Sequence, residues 1–114
     1  MTATESVPTF DALRDSLLDL SQPMGKRTRA VFYLRTRGQK EDLQVLLTAL
    51  LNKKDSELMR HELAYVIGQF QDADACEILQ KIYSKDPAPE VSETCQLALR
   101  LIKYKVDKAR GGRA

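Results

Sequence analysis

The chain has 114 residues, enough for one domain with a single modest core and too few for two lobes with a cleft between them. Apolar residues make up 43% and charged residues 30% of the sequence, a balance typical of globular rather than disordered proteins, and the net charge is only +2. With 5 glycines and 4 prolines the chain is poor in turn residues. An all-β domain, which needs a turn about every 8–12 residues, is therefore disfavoured.

Targeting signals and cysteine usage bear on the compartment. The sequence has no apolar run of the roughly 18–20 residues that a membrane span requires. Its start has neither the basic nor the hydrophobic segment of a secretory signal. We interpret Cys76 and Cys95, which lie inside helical patterns, as buried free thiols of a reducing compartment. We therefore expect a cytoplasmic protein without a membrane partner.

Hydrophobic periodicity predicts six helices. They lie near residues 9–20, 24–37, 40–53, 56–71, 74–85 and 89–106. Helix-breaking residues separate them, among them Pro23, Gly38 and Asp72. We expect residues 1–8 to be a flexible N-terminus and residues 107–114 a flexible basic tail.

The six helices form three pairs whose sequences repeat every 32 or 33 residues. Residues 27–35, 60–68 and 92–100 place apolar side chains at i, i+3 and i+4, the inward stripe of an amphipathic helix. A fixed period of this length predicts an all-α fold, a short α-solenoid of about three helical hairpins near 9–38, 40–72 and 74–106. A plain six-helix bundle is the alternative. In a solenoid, Leu34 and Ile67 would pack between neighbouring repeats.

Two stretches are strongly basic. Residues 26–40 contain no acid, and from Lys103 onward five basic residues meet one acid, Asp107. Either stretch could meet an acidic partner or nucleic acid, but a solvated helix face and a frayed tail are the ordinary interpretation. Because basic and aromatic residues do not alternate, base stacking is not indicated and a nucleic-acid partner is not expected.

The one histidine, His61, is followed directly by Glu62. The apolar stripe of their helix consists of Met59, Leu63, Val66, Ile67 and Phe70. His61 and Glu62 share the other face with Tyr65 and Gln69, and in a solenoid this face can line a groove. Imidazole and carboxylate groups bind iron and other divalent metals, although a single His-Glu pair is more often an ordinary surface pair. CxxC, HExxH, GxSxG and Gly-rich phosphate motifs are all missing from the sequence.

Two segments resemble the deoxyhypusine hydroxylase family. They are residues 58–73, which contain HELAYVIGQ, and residues 84–100, which contain EVSETCQLA. With weaker support from residues 22–35, the resemblance covers most of residues 20–102. It implies HEAT-repeat hairpins and an iron-dependent monooxygenase that hydroxylates deoxyhypusine on translation factor 5A. In that family two four-repeat halves face each other, and four His-Glu motifs hold a dinuclear iron centre.

By this resemblance His61 and Glu62 match the first motif of the N-terminal half and would be iron ligands. One whole repeat with its own His-Glu motif, which the family has between the two segments, is missing here, as is the C-terminal half. In the next repeat Glu93 matches His61 and is a possible third ligand, although a solvated or capping carboxylate is the ordinary interpretation. In the preceding repeat Arg29 would repel a metal.

Three hypotheses follow. The chain is a deoxyhypusine hydroxylase polypeptide, truncated and inactive alone; or a HEAT-repeat module that binds translation factor 5A or another protein without oxidising it; or a structural subunit that docks through its basic helix or tail. We favour the first. Such a chain could be a truncated gene model, a splice form or one half of a split enzyme. A companion subunit or a homodimer could supply ligands, but a homodimer would provide only two histidines and two glutamates. We predict that the isolated chain does not hold a dinuclear iron centre.

Overall fold

The computed structural model describes residues 6–111, so the expected flexibility of residues 1–5 and 112–114 lies outside the described residues. The described part contains six α-helices, one 3-10 turn and no strand. In chain order the helices are α1 (Phe10–Leu18), α2 (Met24–Arg37), α3 (Lys40–Leu51), α4 (Glu57–Phe70), α5 (Cys76–Lys85) and α6 (Pro89–Ala109), with the 3-10 turn at Ala73–Ala75 before α5. The predicted all-α fold is confirmed.

The helices begin and end where local chemistry satisfies their free backbone groups. The side chains of Thr9 and Ser56 accept hydrogen bonds from amides three residues further on, at 3.1 Å each. Helix α6 starts with Pro89, which has no N–H to satisfy. Helix α2 ends at Arg37 and is capped by Gly38, whose φ of 66° is accessible to glycine without strain. Helix α6 continues to Ala109, beyond the predicted end at 106.

Consecutive helices pack in pairs, and the pairs stack side by side. We call them repeat 1 (α1 and α2), repeat 2 (α3 and α4) and repeat 3 (the 3-10 turn, α5 and α6). The second helices contact one another in the order α2, α4, α6, and the first helices in the order α1, α3, α5. The resulting body measures 55 × 34 × 20 Å. This arrangement is the predicted short α-solenoid.

One apolar core runs through all three repeats. Leu34 and Ile67 are fully buried, as expected for residues in the inward stripe. Within α4 the predicted stripe is also buried, except for Phe70, which is half-buried against the core. None of the helices within residues 6–111 combines the length and apolar character that crossing a membrane requires.

Two buried arginines tie each repeat to the next. Arg27 donates from Nε to the carbonyl of Leu17 at 2.9 Å, at the end of the first helix of its own repeat. Its two terminal nitrogens donate to both carboxylate oxygens of Asp55 in repeat 2, at 2.9 and 2.5 Å. Arg27 and Asp55 are both buried, so this is an internal ion pair. The interpretation of residues 26–40 as a solvated face is wrong for Arg27.

The same device recurs one repeat later. Arg60 donates from Nε to the carbonyl of Leu50 at 3.1 Å, and its Nη2 lies 2.6 Å from Oδ2 of Asp86 in repeat 3. This second pair is less well aligned, because those two atoms fall outside hydrogen-bond geometry. In repeat 3 the matching residue is Ser92, whose hydroxyl donates to the carbonyl of Tyr83 at 2.9 Å.

Other residues of the basic block also have partners inside the chain. Arg37 pairs with the buried carboxylate of Asp42 at 2.8 Å. Lys40 reaches Asp72 at 2.6 Å and Asp74 at 2.7 Å, which joins the start of repeat 2 to the start of repeat 3. Much of the positive charge of residues 26–40 therefore stabilises the stack and is not free for an acidic partner.

Candidate functional site

Helix α4 presents the His61-Glu62 pair on its flank. Arg60 and Leu63, on either side of the pair in sequence, are buried, and they fix the rotation of the helix about its axis. His61 and Glu62 are half-buried, whereas Tyr65 is exposed. The predicted core stripe of α4 is buried, with Arg60 added to it, whereas of the predicted open face only Tyr65 and Gln69 are exposed.

His61 is bonded to the neighbouring repeat rather than facing an open groove. Its Nδ1 lies 2.7 Å from the hydroxyl of Thr94 on α6. That hydroxyl in turn donates to the carbonyl of Glu90, also at 2.7 Å. Thr94 is buried. Sequence reasoning missed this partner, although the repeat period places Thr94 at the position that Glu62 occupies in repeat 2.

Glu62 lies on the other side of α4, at a groove shared with α2. The groove has a volume of about 210 Å³. Its lining is mostly apolar and consists of Met24, Thr28, Phe32, Leu58, Met59 and Glu62. Arg29 is not among the residues that line this groove, and its effect on a metal stays a prediction. The carboxylate of Glu62 borders a mostly apolar groove.

Glu93, the third ligand considered above, is exposed on α6. Within residues 6–111 no three side chains of His, Cys, Asp or Glu come together in a group that could hold a metal ion. Glu93 is thus not joined with His61 and Glu62 into a three-ligand group in this chain. Its role as a ligand stays a prediction, as do the roles of His61 and Glu62.

His61 and Glu62 are the kinds of ligand that iron binds, but two ligands are too few for an iron site. An imidazole nitrogen and a carboxylate are donors that ferrous iron takes, and both side chains are partly accessible. A structural or catalytic metal site needs more protein ligands than two, together with hydrogen-bonded neighbours that orient them. His61 and Glu62 fit part of an iron site, and the remaining ligands would have to come from elsewhere.

The thiols do not add to this chemistry. Both cysteines are free, as predicted; Cys95 is buried, while Cys76 is only half-buried. Burial raises the pKa of the Cys95 thiol to about 12 and raises that of Cys76 as well. Since the thiolate is the form that attacks, the raised pKa values make both thiols weaker nucleophiles near neutral pH.

A row of exposed apolar side chains crosses the three second helices. Phe32 on α2, Tyr65 on α4 and Leu97 on α6 occupy matching repeat positions and are 39–46% exposed. We call these three residues the apolar row. Sequence reasoning placed Tyr65 on the open face but missed the row, which the 32–33-residue period would have revealed by comparing solvent-facing positions.

These features define the class of protein. The family model described as HEAT repeats matches residues 10–100, in agreement with three stacked hairpins. The chain belongs to the HEAT-repeat family.

Among HEAT-repeat proteins the chain is similar to deoxyhypusine hydroxylases. It is 33% identical to the enzyme of Dictyostelium discoideum over 126 aligned positions, covering 82% of this chain and 39% of the relative. It is 35% identical to the human enzyme, with 82% and 41% covered, and 30% identical to that of Arabidopsis thaliana, with 87% and 41% covered. The predicted resemblance is confirmed.

A solved structure agrees. The structure of human deoxyhypusine hydroxylase in complex with glycerol matches with a TM-score of 0.61 at 33% identity, covering 91% of this chain and 46% of that one. The chain spans about two fifths of the length of the curated relatives that it matches.

The alignments also contain positions that have no counterpart in this chain. The 126 aligned positions of the human relative cover 82% of this 114-residue chain, which is about 93 residues. About 33 positions of the alignment therefore have no residue of this chain, close to the repeat period of 32 or 33 residues.

Proposed function

We propose that this chain is a deoxyhypusine hydroxylase-related protein of hypusine biosynthesis that needs a companion subunit for activity. The observation that carries the proposal is the His61-Glu62 pair, held half-buried on α4 in a chain similar to these enzymes. Its proposed substrate is the deoxyhypusine side chain of translation factor 5A. Its proposed compartment is the cytoplasm, where the free thiols Cys76 and Cys95 would stay reduced.

His61 and Glu62 would hold iron in this proposal. Bound iron supplies the activation of oxygen that hydroxylation of an alkyl carbon requires. The contribution of this chain is to fix the ligands: the buried Arg60 sets the rotation of α4, and Thr94 holds the imidazole ring.

The missing ligands are the reason for a companion. Within residues 6–111 no third His, Cys, Asp or Glu joins the pair. The number of unmatched alignment positions, about that of one repeat, supports the loss of a unit that the relatives have. Because each repeat of a solenoid contacts only its neighbours, such a loss leaves a stack that still folds. The chain would therefore keep the scaffold but not a complete active centre.

Anaerobic reconstitution with ferrous iron tests this proposal. The chain is reconstituted alone and together with a co-purifying companion chain that carries the three missing His-Glu motifs, desalted and analysed for metal. Hydroxylation of deoxyhypusine on translation factor 5A is then followed by mass spectrometry. We expect no product from the chain alone, and product from the mixture that disappears with His61→Ala but persists with the exposed control Gln69→Ala.

Two outcomes would contradict it. Two irons retained by the isolated chain, with hydroxylation that His61→Ala abolishes, would show that no companion is needed. A mixture that is inactive although both chains bind each other would show that this chain is not part of the enzyme.

The apolar row favours a second candidate function, a protein-binding module without oxidation. Three large side chains at matching positions form a surface that a partner could cover. In this case calorimetry would detect binding of the chain to translation factor 5A. Substitution of Phe32, Tyr65 and Leu97 by serine would abolish that binding, whereas His61→Ala would not. Unchanged binding of the triple serine variant would contradict this second candidate.

A further inference from the structure

The contact between His61 and Thr94 determines which ring nitrogen of His61 carries the hydrogen. A threonine hydroxyl has one hydrogen to donate and oxygen lone pairs with which to accept. The Thr94 hydroxyl lies 2.7 Å from the Glu90 carbonyl oxygen, which can only accept. It also lies 2.7 Å from Nδ1 of His61, which donates or accepts according to the tautomer.

Only one arrangement of hydrogens satisfies both contacts. If the hydroxyl donated to Nδ1, its oxygen would face the Glu90 carbonyl with no hydrogen between them at 2.7 Å. If it donates to Glu90, Nδ1 must carry the hydrogen and donate to Thr94. The buried position of Thr94 leaves little room for water to provide a substitute hydrogen.

We infer that Thr94 is a positioning residue that fixes His61 in the Nδ1–H tautomer and thereby presents the lone pair of Nε2 as the ligand atom. Imidazole in water prefers the opposite tautomer, with hydrogen on Nε2, so the protein has to impose this one. The tautomer itself is a property of the free chain. Its use for metal binding rests on the proposed function.

The bond between His61 and Thr94 also means that two repeats contribute to the candidate site. Thr94 lies on α6 and His61 on α4, so the ligand of repeat 2 is oriented by repeat 3. A carboxylate partner would add negative charge and raise the basicity of the imidazole, whereas a hydroxyl fixes the ring without added charge. Thr94 occupies the position in repeat 3 that Glu62 occupies in repeat 2. The neutral partner of His61 therefore follows from how the repeats of this chain are aligned with one another.

Nitrogen NMR of the side chain tests the tautomer directly. His61 is the single histidine of the sequence, so its ring signals need no assignment. The long-range ¹H–¹⁵N spectrum is recorded without metal at about pH 9, above the ordinary range of imidazole titration. We expect Nδ1 to resonate as a protonated, pyrrole-type nitrogen and Nε2 as an unprotonated, pyridine-type nitrogen.

Three variants separate the hydroxyl from general structure. Thr94→Val removes the hydroxyl at constant shape and should move the proton to Nε2, exchanging the two nitrogen shifts. Thr94→Ser keeps the hydroxyl and should retain the wild-type pattern. Thr48→Val is the matched control, because Thr48 makes the same bond to the carbonyl four residues earlier but is exposed and distant from His61 in sequence. A wild-type chain protonated on Nε2, or an unchanged pattern in Thr94→Val, would overturn the inference.

Because Zn²⁺ is diamagnetic, NMR can show whether the lone pair of Nε2 binds it. In a titration of the chain with Zn²⁺ near pH 7.5, we expect the Nε2 signal to shift and Thr94→Val to weaken binding by about 10–100-fold, the usual effect of losing such a partner. Absence of any Zn²⁺ effect on the wild-type ring would count against the proposed iron ligand while the tautomer result stands. Binding through Nδ1 would contradict both.

Discussion

The two junctions between repeats use the same positions but pack differently. At the first junction, between repeats 1 and 2, helices α2 and α4 border a groove of about 210 Å³. At the second junction, between repeats 2 and 3, helices α4 and α6 approach so closely that a Cβ on Gly68 would lie 2.8 Å from the Cβ and 2.9 Å from the Cα of Ala98. The stack is therefore not uniform along its length.

Side-chain size at one pair of positions explains the difference. One repeat earlier, the positions of Gly68 and Ala98 are occupied by Arg35 and Val66. Arg35 cannot fit between close backbones, and its guanidinium lies over the ring of Phe32, 5.0 Å from the centroid. The small pair brings α6 within reach of His61, whereas the large pair leaves a groove beside Glu62. Helix spacing thus decides whether this face of the helix contacts its neighbour or borders a groove.

The largest expected effect comes from the buried ion pair of the first junction. Asp55→Asn leaves the buried guanidinium of Arg27 without its opposite charge, and breaking such a pair costs about 3–5 kcal/mol. Asp86→Asn at the second junction should cost less, because the Arg60 pair lacks bidentate geometry. Urea unfolding followed by circular dichroism measures both, and equal losses would show that geometry does not distinguish the junctions.

The next prediction compares a residue on the core face of α4 with a residue on its other face. Ile67 is fully buried, so Ile67→Ala should lower the free energy of unfolding by about 2–5 kcal/mol. His61→Ala removes one hydrogen bond of a half-buried side chain and should cost about 0.5–1.5 kcal/mol. Thermal or urea unfolding compares the two. A larger loss for His61→Ala would mean that the face assignment of α4 is wrong.

The close approach at the second junction gives a third test. Gly68→Ala should destabilise by about 1–3 kcal/mol, because the new methyl group meets Ala98 and the helices must separate. Adding Ala98→Gly should recover part of the loss, since the two positions are coupled. The control is Gly25→Ala in α2, where nothing lies within 4 Å of the new Cβ and stability should rise by about 0.4–1 kcal/mol. Independent, additive effects at Gly68 and Ala98 would contradict this account.

The fold was accessible from the sequence because its signals are local and repeated. The period and the apolar stripes predict six helices and the faces they bury, since burial of the stripe is what stabilises each hairpin. The buried arginines were missed because charged residues are ordinarily assigned to the surface. A signal was nevertheless present: Arg27 and Arg60 occupy the same repeat position, and an aspartate precedes the second helix in repeats 2 and 3.

The candidate site was accessible only in part. The sequence predicts that His61 and Glu62 share the open face of α4, because a face follows from helical periodicity alone. It does not predict the bond from His61 to Thr94, because that bond depends on the distance between α4 and α6. The distance depends in turn on Gly68 meeting Ala98, a contact between residues 30 positions apart in sequence. The face of a helix on which a residue lies follows from the local sequence, whereas the distance between two helices depends on how the repeats stack.

The smallest expected effect is the pH dependence of two ion pairs between acids of repeat 3 and bases of repeat 2. Burial opposes ionisation of Asp86, but Arg60 and the amide of Ala88 outweigh it and hold its pKa below the ordinary value. Hydrogen bonds from Lys40 and from the amide of Asp74 lower the pKa of Asp72. A carboxyl group with a lowered pKa in the folded state stabilises the fold above its ordinary pKa of about 3.9 and loses that contribution as the pH falls through the folded value.

We therefore expect the free energy of unfolding to fall with pH below about 5, and to fall less steeply in Asp86→Asn and in Asp72→Asn. Salt separates the two. Lys40 is 66% exposed, so its pair with Asp72 is screened in 1 M NaCl, where the screening length is about 3 Å. Asp72→Asn should then approach the wild-type slope, with only the contribution of the Asp74 amide remaining. Asp86 and Arg60 are buried, so the difference made by Asp86→Asn should persist in salt. If salt erased both differences equally, the second junction would be open to solvent, and the close packing of α4 against α6 would not hold in solution.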